Sequence, residues 1–187
     1  MSHQLITKKG YCFFEVSSAF QKSVRRGLEE EALYWAIELY SSNFKEYAWK
    51  RLKIMVSEDI GIANPSLPAQ VSALYDFYIS IVKGDKDQGN DYLFFIQAVV
   101  MCVRSPKSRL IDDYCCLLMY YKDEHYGHLE IPDYALDKHT RRGKALGRGI
   151  KHFYEEASKL HNHTKVEHED TLNGLVVNYA LKPKLVL

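Results

Sequence analysis

With 187 residues, 47% of them hydrophobic and 26% charged, the chain has the make-up of a globular protein with one substantial core. Its 25 Lys and Arg against 24 Asp and Glu leave a net charge of +1, so bulk charge selects neither nucleic acid nor membrane as a partner. No apolar run reaches the roughly 18 residues of a membrane span, and the longest, 93–103 and 110–121, are broken by polar residues.

Residues 1–15 form an N-terminal segment, in which Met1–Gly10 lacks the apolar core of a signal peptide. Val16, Ala19, Phe20 and Val24 then recur at helical spacing, and Gly27 closes that first helix. Leu28, Ala32, Trp35, Ala36, Leu39 and Tyr40 make a second apolar stripe, with Glu29, Glu30 and Glu31 suited to its positive first turn. Asn43 is placed to cap a third helix that turns Phe44, Tyr47, Ala48, Leu52, Met55 and Val56 inward and ends near Gly61.

Asn64-Pro65-Ser66 reads as a turn, and Pro68 opens a fourth helix bearing Val71, Leu74, Tyr78 and Ile81. A polar loop, Gly84–Gly89, leads to a fifth helix over Asp91–Val103, stopped by Ser105-Pro106. Ser108 caps a sixth, with Leu110, Tyr114, Leu117, Leu118 and Tyr121 on one face. Ile150, Phe153, Ala157 and Leu160 mark a last helix. From residue 162 a polar, His-rich linker precedes a tail whose end, Leu175–Leu187, carries strand-like residues interrupted by Pro183. The expectation is an all-α bundle of six to seven short antiparallel helices over residues 16–161, with a linker and tail at 162–187.

The four cysteines, Cys12, Cys102, Cys115 and Cys116, form no Cys-x-x-Cys pair, and three lie in apolar helical stretches. They read as buried free thiols of a cytoplasmic protein.

Familiar catalytic patterns are missing. Gly143-Lys144 follows no strand and has no Ser or Thr after the Lys, which excludes a phosphate-cradling P-loop; Gly143, Gly147 and Gly149 do not fit Gly-x-Gly-x-x-Gly. Neither His-Glu-x-x-His nor Gly-x-Ser-x-Gly occurs. His125 and His128, and the tail's His161, His163 and His168, have no Cys at ligand spacing and read as solvated, so no metal or cofactor is expected. The adjacent carboxylates Glu58 and Asp59 point to different faces of a helix, which suits capping or pairing with an Arg better than joint acid–base work.

One stretch stands out by charge. Lys138, His139, Arg141, Arg142, Lys144, Arg148 and Lys151 fall in a segment with no acidic residue from Lys138 through Tyr154. Gly143, Gly147 and Gly149 within it would let backbone amides approach a phosphate. Two readings stand side by side: a patch that tracks a nucleic-acid backbone, or a surface that docks an acidic protein.

Several segments resemble the C-terminal region of the MgsA/RarA replication-associated recombination ATPases. They are Ser18-Ala19-Phe20-Gln21-Lys22-Ser23-Val24-Arg25, then Ala32-Leu33-Tyr34-Trp35, then Ser57-Glu58-Asp59-Ile60-Gly61-Ile62-Ala63-Asn64-Pro65, and Ser105-Pro106-Lys107-Ser108. They occur in the family's order at compatible spacing over about residues 16–150. The resemblance implies a helical fold like a clamp-loader collar, in which Ser57, Glu58, Asp59, Gly61, Pro65, Pro106, Lys107 and Ser108 form a structural motif. It also implies subunits held together, commonly as a tetramer, and work at replication forks and DNA ends. No AAA+ motor motif occurs in these residues, so ATP hydrolysis does not carry over. Asp137–Gly149 matches the family's closing segment only loosely and is more basic, and the tail from Asn162 has no counterpart.

The expectation is a non-enzymatic oligomerisation and nucleic-acid-binding module of DNA replication and recombination. Its partners would be copies of itself, DNA, and a replication or AAA+ motor protein. The alternative is a protein-binding accessory or inhibitor whose basic segment docks an acidic surface. A small hydrolase built on Glu58 and Asp59 has no motif beyond that pair.

Overall fold

Phe13, Val16, Phe20 and Val24 return to one side of a helix every three or four residues, and all four are buried in the first helix, α1 (Phe13–Arg26). It ends at Gly27, whose N–H donates to the Val24 carbonyl at 3.1 Å, while the Leu28 N–H reaches back to Ser23 at 3.0 Å. The computed structural model describes residues 5–83 and 90–182, so the expected 84–89 loop and Pro183 lie outside the described residues. After α1 come α2 (Glu29–Ser41), α3 (Lys45–Met55), α4 (Leu67–Val82), α5 (Asp91–Arg104), α6 (Leu110–Tyr120) and α7 (Lys122–Tyr126). Then follow α8 (Arg141–Ala145), α9 (Ile150–His152) and α10 (Glu169–Leu181). The fold is all-α: among the described residues the sole β feature is an isolated antiparallel bridge between Ile6 and Cys12. None of these helices is long and apolar enough to cross a membrane.

The chain divides into two compact units, Met1–His125 and Tyr126–Leu187. The first holds the main core, made by α1 to α5. At its centre the Tyr40 and Phe95 rings stack at 5.0 Å, with Trp49 edge-on to Phe95 at 5.1 Å and tilted against Tyr78 at 5.4 Å. Trp49 and Phe95 have no exposed surface. Buried hydroxyls need acceptors. Tyr78 donates to Glu46 Oε1 at 2.8 Å, and burial together with that carboxylate raises its pKa. Tyr40 donates to Asp91 Oδ2 at 2.6 Å, where Lys45 Nζ also arrives at 2.7 Å.

Four sequence expectations are corrected. Asn43 does not cap α3: it takes a left-handed backbone (φ 66°) that ends α2, and the Phe44 N–H returns to the Leu39 carbonyl at 3.1 Å. Asn tolerates that conformation at a helix end as well as it caps a start, and the sequence alone does not separate the two. The apolar face of α6 is not core, because no residue of that helix is buried. Cys115 and Cys116 are accordingly exposed, whereas Cys102 is buried and its thiol is pushed up to about 12 by burial. The tail, whose structure the sequence left open, is helical over α10, where Glu169 and Asp170 sit in the positive first turn and Glu169 Oε2 accepts the Val166 N–H at 3.1 Å. Finally, the helix expected through Leu160 ends early. After α9 the chain widens into a π-turn over Phe153–Ala157, closed by the Ser158 N–H on the Phe153 carbonyl at 2.9 Å.

Asp91 offers a pH test of this core. Burial pushes its carboxyl up, but the Lys45 ammonium and Tyr40 hydroxyl outweigh that and hold it below its ordinary value of 3.8. A carboxylate depressed by folding stabilises the fold above its unfolded pKa and loses that contribution as pH falls through the folded value. Asp91→Asn is therefore expected to cost about 1–3 kcal/mol at neutral pH, with the difference from the parent shrinking in acid. Urea unfolding at both pH values measures it.

Candidate functional site

A helical path runs on from α3 through a π-turn, Val56–Ile60, and a short 3-10 turn, Gly61–Ala63. The wider turn carries Glu58 and Asp59 toward α1 and toward the residues before α6. Asp59 is fully buried, and its Oδ1 accepts from Arg25 Nε at 2.6 Å and from Arg109 Nη1 at 3.0 Å. Glu58 accepts from Arg25 Nη2 at 2.9 Å and from Gln21 Nε2 at 2.8 Å. Gln21 is held in turn by Arg51, and Arg109 also pairs with Asp112. The result is a carboxylate–arginine clamp joining α1, the turn after α3 and the head of α6.

The rest of the motif completes it. The Ser108 N–H donates to the Asp59 carbonyl at 3.0 Å, so side chain and backbone of Asp59 hold the same strand of chain. Gly61 has φ +50°, a backbone conformation that favours glycine, and a Cβ there would lie 3.0 Å from Ile111 Cγ1, which would have to give way. Lys107 Nζ donates to the carbonyls of Cys102, Val103 and Ser105 at 2.7–2.8 Å, closing the C-terminus of α5. Burial lowers the pKa of that ammonium. Asn64 Nδ2 reaches Ser105 Oγ at 3.1 Å, which ties the two loops together between the exposed Pro65 and Pro106. Ser57 is exposed. It lies on a groove of about 750 Å³ with Lys50, Lys53, Ile54, Tyr75 and Ile111. With Glu58 held by Arg25 and Gln21, and Asp59 out of solvent, the pair does not have the geometry of a general base.

The basic stretch lies in the second unit. Thr140 caps α8, its Oγ1 accepting the Gly143 N–H at 2.9 Å. A Cβ on Gly143 would fall 1.9 Å from the Asp137 carbonyl oxygen, so this glycine serves close packing of α8 on the preceding loop. The Gly147 N–H donates to the Lys144 carbonyl at 3.0 Å, closing α8. The amides of both glycines are thus engaged within the unit. Arg148 is engaged as well: Nη1 donates to the carbonyls of Asp133 and Leu136 at 2.7 and 2.9 Å, and its guanidinium pairs with the Asp133 carboxylate. His139 Nδ1 meets Asp137 Oδ2 at 2.8 Å, which draws the Asp137 carboxyl below its ordinary range. Lys138 Nζ sits 5.0 Å over the Phe153 ring, and Lys151 is 3.8 Å from Glu155. Arg141, Arg142 and Lys144 are exposed and make no side-chain hydrogen bond or ion pair among the described residues.

The family model described as "MgsA AAA+ ATPase C terminal" matches residues 29–179. The chain belongs to this family. The match runs past Asn162 as far as Tyr179 in α10, so the tail, expected to have no counterpart, has one through most of its described length. Among curated relatives, "ATPase WRNIP1" of Dictyostelium discoideum is 30% identical over 152 residues, covering 80% of this chain and 17% of the relative. "Replication-associated recombination protein A" of Haemophilus influenzae is 26% identical over 153 residues, and that of Coxiella burnetii 30% over 149. Each of those two alignments covers 79% of this chain and 32% of the relative. The chain therefore spans about a third or less of the relatives it matches.

Arg25 and Arg109 are the site residues that sequence reasoning missed, although Arg25 ends one of the resembling segments and Arg109 directly follows another. Replacing Asp59 by Asn is expected to cost about 1–3 kcal/mol, because two guanidinium donors lose their shared charged acceptor. Urea denaturation followed by circular dichroism measures this, and an unchanged midpoint would mean that Asp59 does not hold the fold together.

Proposed function

We propose that this chain is a non-enzymatic assembly and nucleic-acid-binding module of replication-associated recombination. The reading rests on the exposed trio Arg141, Arg142 and Lys144, which has no carboxylate partner among the described residues and is presented by a short, firmly capped helix. Membership of the MgsA C-terminal family, and relatives named for replication-associated recombination, supply the setting. Lys138 and Lys151 flank the trio and add to the positive field. Arg148 is excluded from the binding set, because it holds the loop at Asp133–Leu136. The partners that fit are DNA, further copies of the chain, and an AAA+ motor. The second reading, an acidic protein docked on the same trio, differs in what salt and nucleic acid do to binding.

A phosphate-tracking surface releases counterions, so affinity falls with salt at about −0.9 in log–log slope per phosphate neutralised on duplex DNA. Three to five contacts predict a total slope of roughly −2.7 to −4.5, with little dependence on base sequence. Reversing Arg141 and Arg142 together to Glu should weaken binding uniformly and flatten the slope by about two. Fluorescence anisotropy on labelled oligonucleotides across a salt series reads both. Binding by the double variant equal to the parent's, or none by the parent at low salt, transfers the surface to the protein-docking reading.

ATP gives a separate check. With no P-loop in these residues, the purified chain is expected to hydrolyse no ATP with or without DNA. Saturable turnover that co-purifies with the chain would contradict the non-enzymatic part of the reading.

A further inference from the structure

The groove on which Ser57 lies is walled by α3, by Tyr75 of α4 and by the first turns of α6. Ile54, Tyr75, Ile111 and Cys115 give it an apolar lining, and Ile54 and Ile111 are 38% and 40% exposed. The charges around it are satisfied unequally. Glu46 accepts the hydroxyls of Tyr75 and Tyr78 at 3.0 and 2.8 Å, Glu58 is held by Arg25 and Gln21, and Asp112 pairs with Arg109. The three carboxylates that line the groove therefore all have donors. Lys50 and Lys53 line it too, and neither makes an ion pair among the described residues.

The two lysines stand three residues apart on α3, where side chains are neighbours about 5–6 Å apart at Cβ, so both ammoniums reach a single anionic group. Lys53 Nζ lies over the Tyr75 ring, and burial there lowers its pKa against the opposing pull of Glu46 and Asp76. An ammonium already short of water gives up little more hydration on meeting an anion. Ile54 follows Lys53 directly, so a charged place and an apolar place lie side by side. The groove holds about 750 Å³, within the roughly 300–1,000 Å³ of small-molecule sites.

We propose that this groove binds a small amphiphilic anion, its carboxylate, sulfonate or phosphate head between Lys50 and Lys53 and its apolar body against Ile54, Ile111 and Cys115. A neutral apolar molecule leaves both ammoniums without a partner, and a bare inorganic anion leaves the isoleucines in water. The site uses neither the clamp arginines nor Arg141, Arg142 and Lys144, so it goes beyond the proposed function and stands or falls separately from it.

Two fluorescent probes with the same ring system test this on the full chain: 8-anilinonaphthalene-1-sulfonate and its uncharged parent, N-phenyl-1-naphthylamine. The sulfonate is expected to bind at one site about tenfold or more tighter than the uncharged probe. In Lys50→Gln/Lys53→Gln, with folding checked by circular dichroism, that preference should vanish while the affinity for the uncharged probe stays. Cys115 then reports where the probe sits, because it lines the groove and its neighbour Cys116 does not. With Cys12 and Cys116 replaced by Ser, saturating sulfonate should slow maleimide labelling of Cys115 about fivefold or more. With Cys12 and Cys115 replaced instead, labelling of Cys116 should be unchanged. Equal affinity for the two probes, or a preference that survives in the lysine variant, overturns the anion site and leaves only adsorption on apolar surface. Equal slowing of Cys115 and Cys116, or of neither, places the probe elsewhere and overturns it as well. A Cys115 that resists maleimide in the probe-free chain means that a segment of the chain or a second copy fills the groove, which overturns a small ligand as occupant.

Discussion

One buried carboxylate organises the first unit. Asp59 is out of contact with solvent and takes donors from Arg25 and Arg109, which lie 34 and 50 residues away in sequence. Its backbone carbonyl takes a third donor from Ser108. A charge removed from water costs several kcal/mol unless it is paired and hydrogen-bonded. The turn after α3, the face of α1 and the loop before α6 must therefore meet at one point. The partial exposure of both arginines lowers the cost of the arrangement, since each guanidinium keeps part of its hydration. Gly61 and Lys107 follow from the same meeting: the glycine because the turn takes a positive φ beside Ile111, the lysine because the last carbonyls of α5 need donors.

Two groups of cations in this chain do different work. Arg25, Arg109, Lys107 and Arg148 are aimed inward at carboxylates and orphan carbonyls and hold loops to helices. Arg141, Arg142 and Lys144 stand on a capped helix and make no ion pair among the described residues. The clamp around Glu58 and Asp59 belongs to the first group and explains shape. The second group carries the functional proposal, because a fixed cluster of unpaired charge needs a partner to be used. The clamp contributes indirectly, by fixing the start of α6 so that the helix presents a defined face.

The helices α1 to α5 were legible because a single core imposes a 3.6-residue period on Phe20, Leu39, Leu52, Tyr78 and Phe95 alike. What the sequence hides has specific causes. An apolar stripe such as that of α6 looks the same whether its own chain or another covers it, which is why Cys115 and Cys116 read as buried. Asn43 satisfies the rules for beginning one helix and for ending another. Val176 and Val177 favour a strand locally, and the acidic first turn of α10 decides for a helix. A run of basic residues can be counted from sequence, but the engagement of Arg148 by Asp133 and Leu136 depends on a loop closing over it. The Glu58-Asp59 motif was visible, whereas its arginine partners sit near the end of α1 and in the turn before α6, where an arginine normally reads as solvated.

Asp59 and Arg109 act as one interaction binding the head of α6 to the rest of its unit. A double-mutant cycle with Asp59→Asn, Arg109→Gln and the double variant, read by urea unfolding, isolates that interaction from the individual costs. The expected coupling is about 1–3 kcal/mol, with the double variant losing clearly less than the sum of the two singles. Additive losses would mean that the two residues stabilise the fold independently and that the clamp does not exist as a unit.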